Sequence, residues 1–171
     1  IIAAIINSIN FIDGIDGLAI SNVILFICGF EFFSVEQTTY SNLSTILIAS
    51  IIPLYYFNFR KKNKVFLGDS GSLFLGGIIS IYIITVLTND YIISPEYDLH
   101  KILFVISILF YPIIDIIRIF FLRLFKGTSP FRPDKNHIHH LILKKINNHF
   151  IVTLIISSIS ILFLILSQII F

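Results

Sequence analysis

NSINFIDGIDGLA (7–19) decides how this chain folds. It sets two aspartates, two asparagines and two glycines between apolar residues 1–6 and a long apolar run that starts at Leu18. Two further islands of the same kind follow, VFLGDSGSLFLG (65–76) and SPFRPDKNHIHHLI (129–142). Asp, Asn and His are among the residues a bilayer tolerates least, so keeping them beside apolar runs points to chemistry rather than packing. If each intervening run crosses the membrane once, an even number of crossings separates the islands. All three then meet at one face.

Composition sets the frame for that reading. With 56% hydrophobic and 13% charged residues, the chain is a polytopic membrane protein; a soluble domain this apolar would have no polar surface left. The expected fold is all-α, a transmembrane helix bundle, because a span in lipid must satisfy its own backbone hydrogen bonds. About five spans are expected, at 18–33, 43–59, 73–87, 102–121 and 151–171, plus a truncated one at 1–6, with connectors 34–42 and 88–100 on the opposite face. Residues 1–171 read as one integral membrane domain. The apolar start and the lack of any Met predict the C-terminal part of a larger bundle. The lone cysteine, Cys28, excludes a disulfide framework and a cysteine metal site, and no nucleic-acid partner is expected.

Charge gives the orientation. Arg60, Lys61, Lys62, Lys64, Arg118, Arg123, Lys126, Arg132, Lys135, Lys144 and Lys145 fall on the side of the islands, and only Lys101 on the other. That asymmetry puts the islands in the cytoplasm. Asp13, Asp16, Asp69, Asp115 and Asp134 share that side. Glu31, Glu36, Asp90, Glu96 and Asp98 read as ordinary solvated loop or headgroup residues.

In the first island Asp13 and Asp16 stand three apart, each followed by glycine. On a helix the two carboxylates share a face; in a glycine-rich loop they join backbone N–H groups around a polar ligand. The alternative is that Asp16 simply caps the helix starting near Leu18. Asn7 and Asn10 add uncharged hydrogen-bonding groups that suit a nucleobase or sugar. In the second island Asp69 lies between Gly68 and Gly71 at the mouth of a span. It is a candidate Mg²⁺ ligand, since that ion takes one or two carboxylates and completes its shell with phosphate and water. Capping by Asp69 or Ser70 is the alternative. In the third, His137, His139 and His140 can ligate Zn²⁺, bind phosphate or move protons. A zinc hydrolase helix would place histidines at i and i+4 with a glutamate between them, and no glutamate lies on this side. Phosphate binding, with Arg132 and Lys135 beside the histidines, fits better. Pro112 is expected to kink its span, and Asp115 and Arg118 to pair with each other along one helix. Tyr82 and Tyr91 read as membrane-interface tyrosines, and His149 as an interfacial histidine without a partner.

Taken together, NFIDGIDGLA, VFLGDSGSLFLG, PIIDIIR (112–118) and SPFRPDKNHIHHLI resemble the polyprenyl-phosphate N-acetylhexosamine-1-phosphate transferases of glycosyltransferase family 4 type. These membrane enzymes start bacterial cell-envelope glycans, lipopolysaccharide and O-antigen among them. The HIHH form resembles the branch that uses UDP-N-acetylglucosamine and undecaprenyl phosphate. The resemblance implies that Asp69 binds Mg²⁺, with Mn²⁺ as a substitute, and that Asn10, Asp13 and Asp16 line the nucleotide-sugar site. It further implies that Phe66 stacks on uracil and that His137, His139 and His140 hold phosphate or sugar. Asn58 stands where the family has an asparagine upstream of the Gly-Asp motif, although the 60–64 loop departs from the usual pattern. An upstream aspartate pair that the family carries is not among these residues, so they are expected to insert alone without turning over. The implied partners are a UDP-N-acetylhexosamine, a polyprenyl phosphate and the bacterial inner membrane; the oligomeric state, with a homodimer as one option, is not fixed by the sequence. A metal-dependent membrane hydrolase is one alternative. A transporter is another, but it would hold its polar groups near the bilayer midplane.

The charge asymmetry yields a direct test. In a protein freed of Cys28, a cysteine at Asn136 should be shielded from an impermeant thiol reagent in intact cells, and one at Ser94 should react. Labelling at 136 without labelling at 94 would invert the topology.

Overall fold

The structure, a computed structural model, describes residues 2–88, 91, 98–129 and 136–170. Every regular element among them is helical: α1 (Ile2–Ile12), α2 (Leu18–Phe33), α3 (Ser41–Asn58), α4 (Gly68–Leu87), α5 (Asp98–Ile108), α6 (Phe110–Phe125), α7 (Ile138–Ile146) and α8 (His149–Ile170). α4 and α8, with 20 and 22 residues, rise about 30 and 33 Å at helical pitch, which matches the hydrocarbon thickness of a bilayer. Leu154, Leu162 and Ile169 lie exposed along α8, as on a lipid-facing helix.

The expectation of about five crossings is met by length and composition in two helices, or three if the bent pair α5–α6 counts as one. α2 has 16 residues and rises only about 24 Å. α3 has 18, but serine, threonine, asparagine and Pro53 dilute its apolar run. The span expected at 102–121 is broken. α5 and α6 meet at an angle of 80° around Leu109. Pro112, in the first turn of α6, has no N–H to donate to the Ile108 carbonyl, and its ring cannot follow the turn of α5. The expected kink is therefore a change of direction.

Packing is tightest between α1 and α4. Along α1 the buried residues Ile5, Ser8, Ile9 and Ile12 repeat with helical spacing and make one stripe. Against it α4 presents Gly76, where a Cβ would stand 2.8 Å from Ile6 Cα and 3.1 Å from the Ile6 carbonyl oxygen. Only a missing side chain lets the two backbones come this close. Behind α4, Phe26, Phe30, Tyr82 and Tyr91 form a buried aromatic core. Tyr82 and Tyr91 are thus interior residues rather than interfacial ones, and the Tyr91 hydroxyl donates to the Phe30 carbonyl at 2.6 Å.

Glu31 also departs from its expected role as a solvated headgroup residue. Its carboxylate accepts from Thr38 Oγ1 at 2.8 and 3.0 Å and from Ser44 Oγ. Ser44 in turn meets the Tyr82 hydroxyl at 2.9 Å. One carboxylate so ties α2, α3 and α4 together at the end of the bundle away from the islands.

The α1–α4 contact predicts opposite outcomes for neighbouring glycines. Gly76→Ala should destabilise by about 1–3 kcal/mol, because the new methyl meets backbone that cannot step aside. Gly77, with nothing within 4 Å of its Cβ position, should gain about 0.5–1 kcal/mol as alanine from helix propensity alone. Thermal melting of the two variants in detergent, followed by circular dichroism, checks both signs.

Candidate functional site

The turn between α1 and α2 is where the islands meet. Gly17 starts α2 with φ of 73°, a left-handed conformation that favours glycine, and a Cβ there would stand 2.3 Å from the Phe59 ring. Its N–H donates to Asn58 Oδ1 at 2.5 Å. Asn58, buried at the end of α3, donates in turn to the Val65 carbonyl at 2.7 Å. Asn58 thereby fixes both the first island and the entrance to the second.

Asp16 is no helix cap; α2 has none from a side chain. Its Oδ2 lies 2.6 Å from Lys64 Nζ and 3.1 Å from His149 Nδ1. His149 Nδ1 is also 3.2 Å from the Asp16 N–H, so the ring donates to the carboxylate when Nδ1 is protonated and accepts from the amide when it is not. The Asp16 carbonyl accepts from Thr153 Oγ1 at 2.8 Å. His149 is consequently not a solitary interfacial histidine, because it and Thr153 dock α8 onto this turn.

Asn10 joins the first and second islands. Its amide donates to Asp69 Oδ1 at 3.2 Å and to Ser72 Oγ at 2.9 Å. Asp69 sits exposed in the first turn of α4, which likewise has no side-chain cap. Burial pushes the Asp13 carboxyl up to about 6; a hydrogen bond from the Gly68 backbone offsets part of this, and the negative charges of Asp69 and Asp16 add to it. Phe66 presents an exposed ring with Lys64 Nζ 4.8 Å from its centre. Asn7 is exposed, and its amide turns back to the Ala3 carbonyl at 2.8 Å.

The third island closes over the first. A Cβ on Gly14 would stand 3.0 Å from the His140 ring and 3.2 Å from His139 Nε2, so both imidazoles lie on the Asp13-Gly14 backbone. His137 packs 5.9 Å from Phe11, ring centre to ring centre. His139 is fully buried, and among the described residues its Nε2 has no hydrogen-bond partner. Burial drives its pKa down to about 3, helped by the neighbouring His140 and opposed by Asp115, which leaves the ring neutral near pH 7. Arg132 and Lys135 lie outside the described residues.

Sequence reasoning missed the support behind these histidines. Asp115 does not pair with Arg118 as expected. Its carboxylate meets His137 Nδ1 at 2.6 Å and the Ile138 N–H at 2.8 Å, while Arg118 donates to the Asn136 carbonyl at 2.8 Å. The Tyr111 hydroxyl meets His139 Nδ1 at 2.7 Å. The helical i, i+4 spacing of Tyr111 and Asp115 was a usable signal, had both been matched to histidines remote in sequence.

Two cavities adjoin the turn. A polar one of about 570 Å³ is bordered by Asp16, Arg60, Lys61, Lys64, Asn148 and His149. An apolar groove of about 730 Å³ runs between α2 and α8 along Leu25, Cys28, Leu154 and Ile161, and Phe150 borders both. Among the described residues no three carboxylate, imidazole or thiol groups converge as a metal cage. The oxygen donors Asp69 and Asp13 nevertheless suit a hard divalent ion that draws its other ligands from phosphate and water.

A family model described as Glycosyl transferase family 4 matches residues 1–87. The chain is 37% identical over 147 residues to the undecaprenyl-phosphate alpha-N-acetylglucosaminyl 1-phosphate transferase of Escherichia coli K12, covering 82% of the chain and 38% of that protein. The Yersinia pestis protein of the same name is 38% identical over 148 residues, with the same coverage. The decaprenyl-phosphate N-acetylglucosaminephosphotransferase of Mycobacterium leprae is 30% identical over 168 residues, covering 90% of the chain and 42% of that protein. The chain thus spans about two fifths of the length of these curated relatives. No solved structure matches it.

The Asp13 environment sets a sign for pH dependence without divalent ions. Its folded pKa of about 6 exceeds an unfolded value of about 3.9, so the folded state binds this proton more tightly. The resulting stability is fully present below about pH 4 and lost as pH rises through about 6. In chelator, Asp13→Asn should flatten the fall in melting midpoint across that window. An unchanged slope would remove Asp13 as its source.

Proposed function

The chain belongs to glycosyl transferase family 4, and on that premise we propose that it supplies part of the active site of a membrane phosphoglycosyl transferase. In the proposed reaction N-acetylglucosamine 1-phosphate passes from UDP-N-acetylglucosamine to a polyprenyl phosphate such as undecaprenyl phosphate. An oxygen of the lipid phosphate bonds to the sugar-bearing phosphorus, the bridging P–O bond breaks, and UMP leaves with the electron pair. The observation that carries this reading is the convergence of Asn10 with Asp69 and of Gly14 with His139 and His140. Residues from three remote stretches thereby border one polar site beside apolar helices.

The roles of the residues follow from their chemistry. Asp69, steadied by Asn10, and Asp13 hold Mg²⁺, which when bound offsets charge on the phosphates. Asp13 carries a carboxylate that burial disfavours and that has the negative charges of Asp69 and Asp16 beside it, so a divalent ion there would relieve it. Asp16 shapes the nucleotide-sugar side of the turn while Lys64 neutralises it. Phe66 offers an exposed ring for stacking on uracil. The histidines meet phosphate or sugar oxygens, and His139, neutral, offers its buried Nε2 as a hydrogen-bonding group rather than a charge. The groove between α2 and α8, which reaches the polar cavity at Phe150, supports a lipid co-substrate. The basic asymmetry supports a bacterial inner-membrane protein with this site facing the cytoplasm.

The assay uses the full-length protein in detergent with UDP-N-acetylglucosamine. UMP release should require both polyprenyl phosphate and Mg²⁺. Release with water as the only acceptor would favour a hydrolase. Asp69→Asn keeps size and hydrogen bonding but removes the charge a hard cation needs. It should lower Mg²⁺-dependent turnover on the order of 10²-fold or more with its melting midpoint retained. Near-normal turnover would displace Asp69 from the metal.

A further inference from the structure

We propose that Asp115 is a positioning residue for this site, acting through His137; the inference rests on the transfer reading and adds a residue that reading does not use. Asp115 is 1% exposed on the buried stripe of α6 that also carries Tyr111, Pro112 and Ile119. Its Oδ1 accepts the Ile138 N–H at 2.8 Å and its Oδ2 lies 2.6 Å from His137 Nδ1. An ionised carboxylate only accepts, so Nδ1 of His137 carries the proton. Nε2 is then the one polar atom of the ring left to meet a ligand.

The same carboxylate orders the backbone. His137 is the N-cap of α7 and makes no side-chain cap, so the first N–H groups of that helix need an acceptor from elsewhere. Asp115 supplies one to Ile138. The start of α7 and the ring of the residue that precedes it are therefore fixed from one point.

Tyr111, one turn earlier on α6, treats His139 in the same way with its hydroxyl 2.7 Å from Nδ1. Residues spaced i and i+4 on α6 thus stand behind residues spaced i and i+2 on the histidine segment. In both rings Nδ1 is occupied from behind, and among the described residues the Nε2 of His139 stays unpartnered beside Gly14. The break at Leu109 turns α6 so that its buried stripe faces the histidines.

A mutant cycle in the full-length enzyme tests this, with UDP-N-acetylglucosamine and polyprenyl phosphate as substrates. Asp115→Asn offers one acceptor and one donor where the carboxylate offers two acceptors, so His137 or Ile138 loses its partner. The expected result is a fall in kcat of about 10- to 100-fold with KM little changed. Ring nitrogen-15 shifts of His137 should move away from the Nδ1–H form. His137→Asn keeps an N–H toward Asp115 but has no atom at Nε2; it should fold normally and lose activity to a similar degree. In that background Asp115→Asn should cost nothing more, because the two act as a unit.

Equal losses from Asp115→Asn in both backgrounds, or unchanged His137 ring shifts, would overturn the proposal and leave Asp115 a structural residue. If Asp115→Asn fails to fold, near wild-type turnover of His137→Asn would overturn it alone. Wild-type enzyme that releases no UMP would sink the transfer reading, while the ring shifts would still decide whether Asp115 fixes His137.

Discussion

The hydrogen bond from the Gly17 N–H to Asn58 Oδ1 is the contact on which the site depends. Gly17 begins α2 in a left-handed conformation, so its amide lies outside the helical pattern and must find an acceptor. Asn58 provides it from the end of α3, and its own amide then holds the strand of chain leading into α4. Once the turn is fixed, Asp16 can meet Lys64 and His149, Asp13 stays half-buried, and Gly14 offers a surface flat enough for two imidazoles. Replacing Asn58 with an apolar residue would orphan a donor and an acceptor on two connectors at once.

Charge within the site is arranged unequally. Asp16 has two basic side chains within 3.1 Å, and Asp115 has an imidazole and an amide. Among the described residues the exposed Asp69 meets the neutral Asn10 amide, and Asp13 has a backbone contact and negative neighbours. Asp16 and Asp115 have their charge answered by side chains of the protein itself, whereas Asp69 and Asp13, among the described residues, meet neutral amide and backbone groups. Four aspartates that look alike in the sequence are thus sorted by burial and by partner.

How much of this the sequence carried depended on the range of the interaction. The three islands, their common face and the all-helical state follow from patterning, because apolar runs and turn residues are local signals. The join between Asn10 and Asp69 was implicit in that common face. The i, i+3 pairing of Asp115 with Arg118 is the best local option, and it lost to a histidine 22 residues away that burial makes the stronger partner. Lys64, Asn58 and His149 stand in stretches that read as a basic loop, a helix end and a membrane interface. Their roles appear only when α3 and α8 are brought against the α1–α2 turn. By length and composition the expected spans are matched by two helices, or three with the bent pair, because α2 is short and the chain turns sharply at a break just before Pro112.

That break has an electrostatic consequence. Beyond it α6 turns its buried face, Asp115 included, against the histidine segment. Asp115 and His137, just beyond the turn and almost wholly enclosed by protein, therefore interact through low-dielectric surroundings rather than through electrolyte. Mobile ions screen exposed charges over about 8–10 Å at physiological strength, but they cannot enter between two buried groups 2.6 Å apart. Arg60, Lys61 and Lys62, exposed in the 60–64 loop, feel every change in ionic strength. The pair behind the histidines is insulated from it.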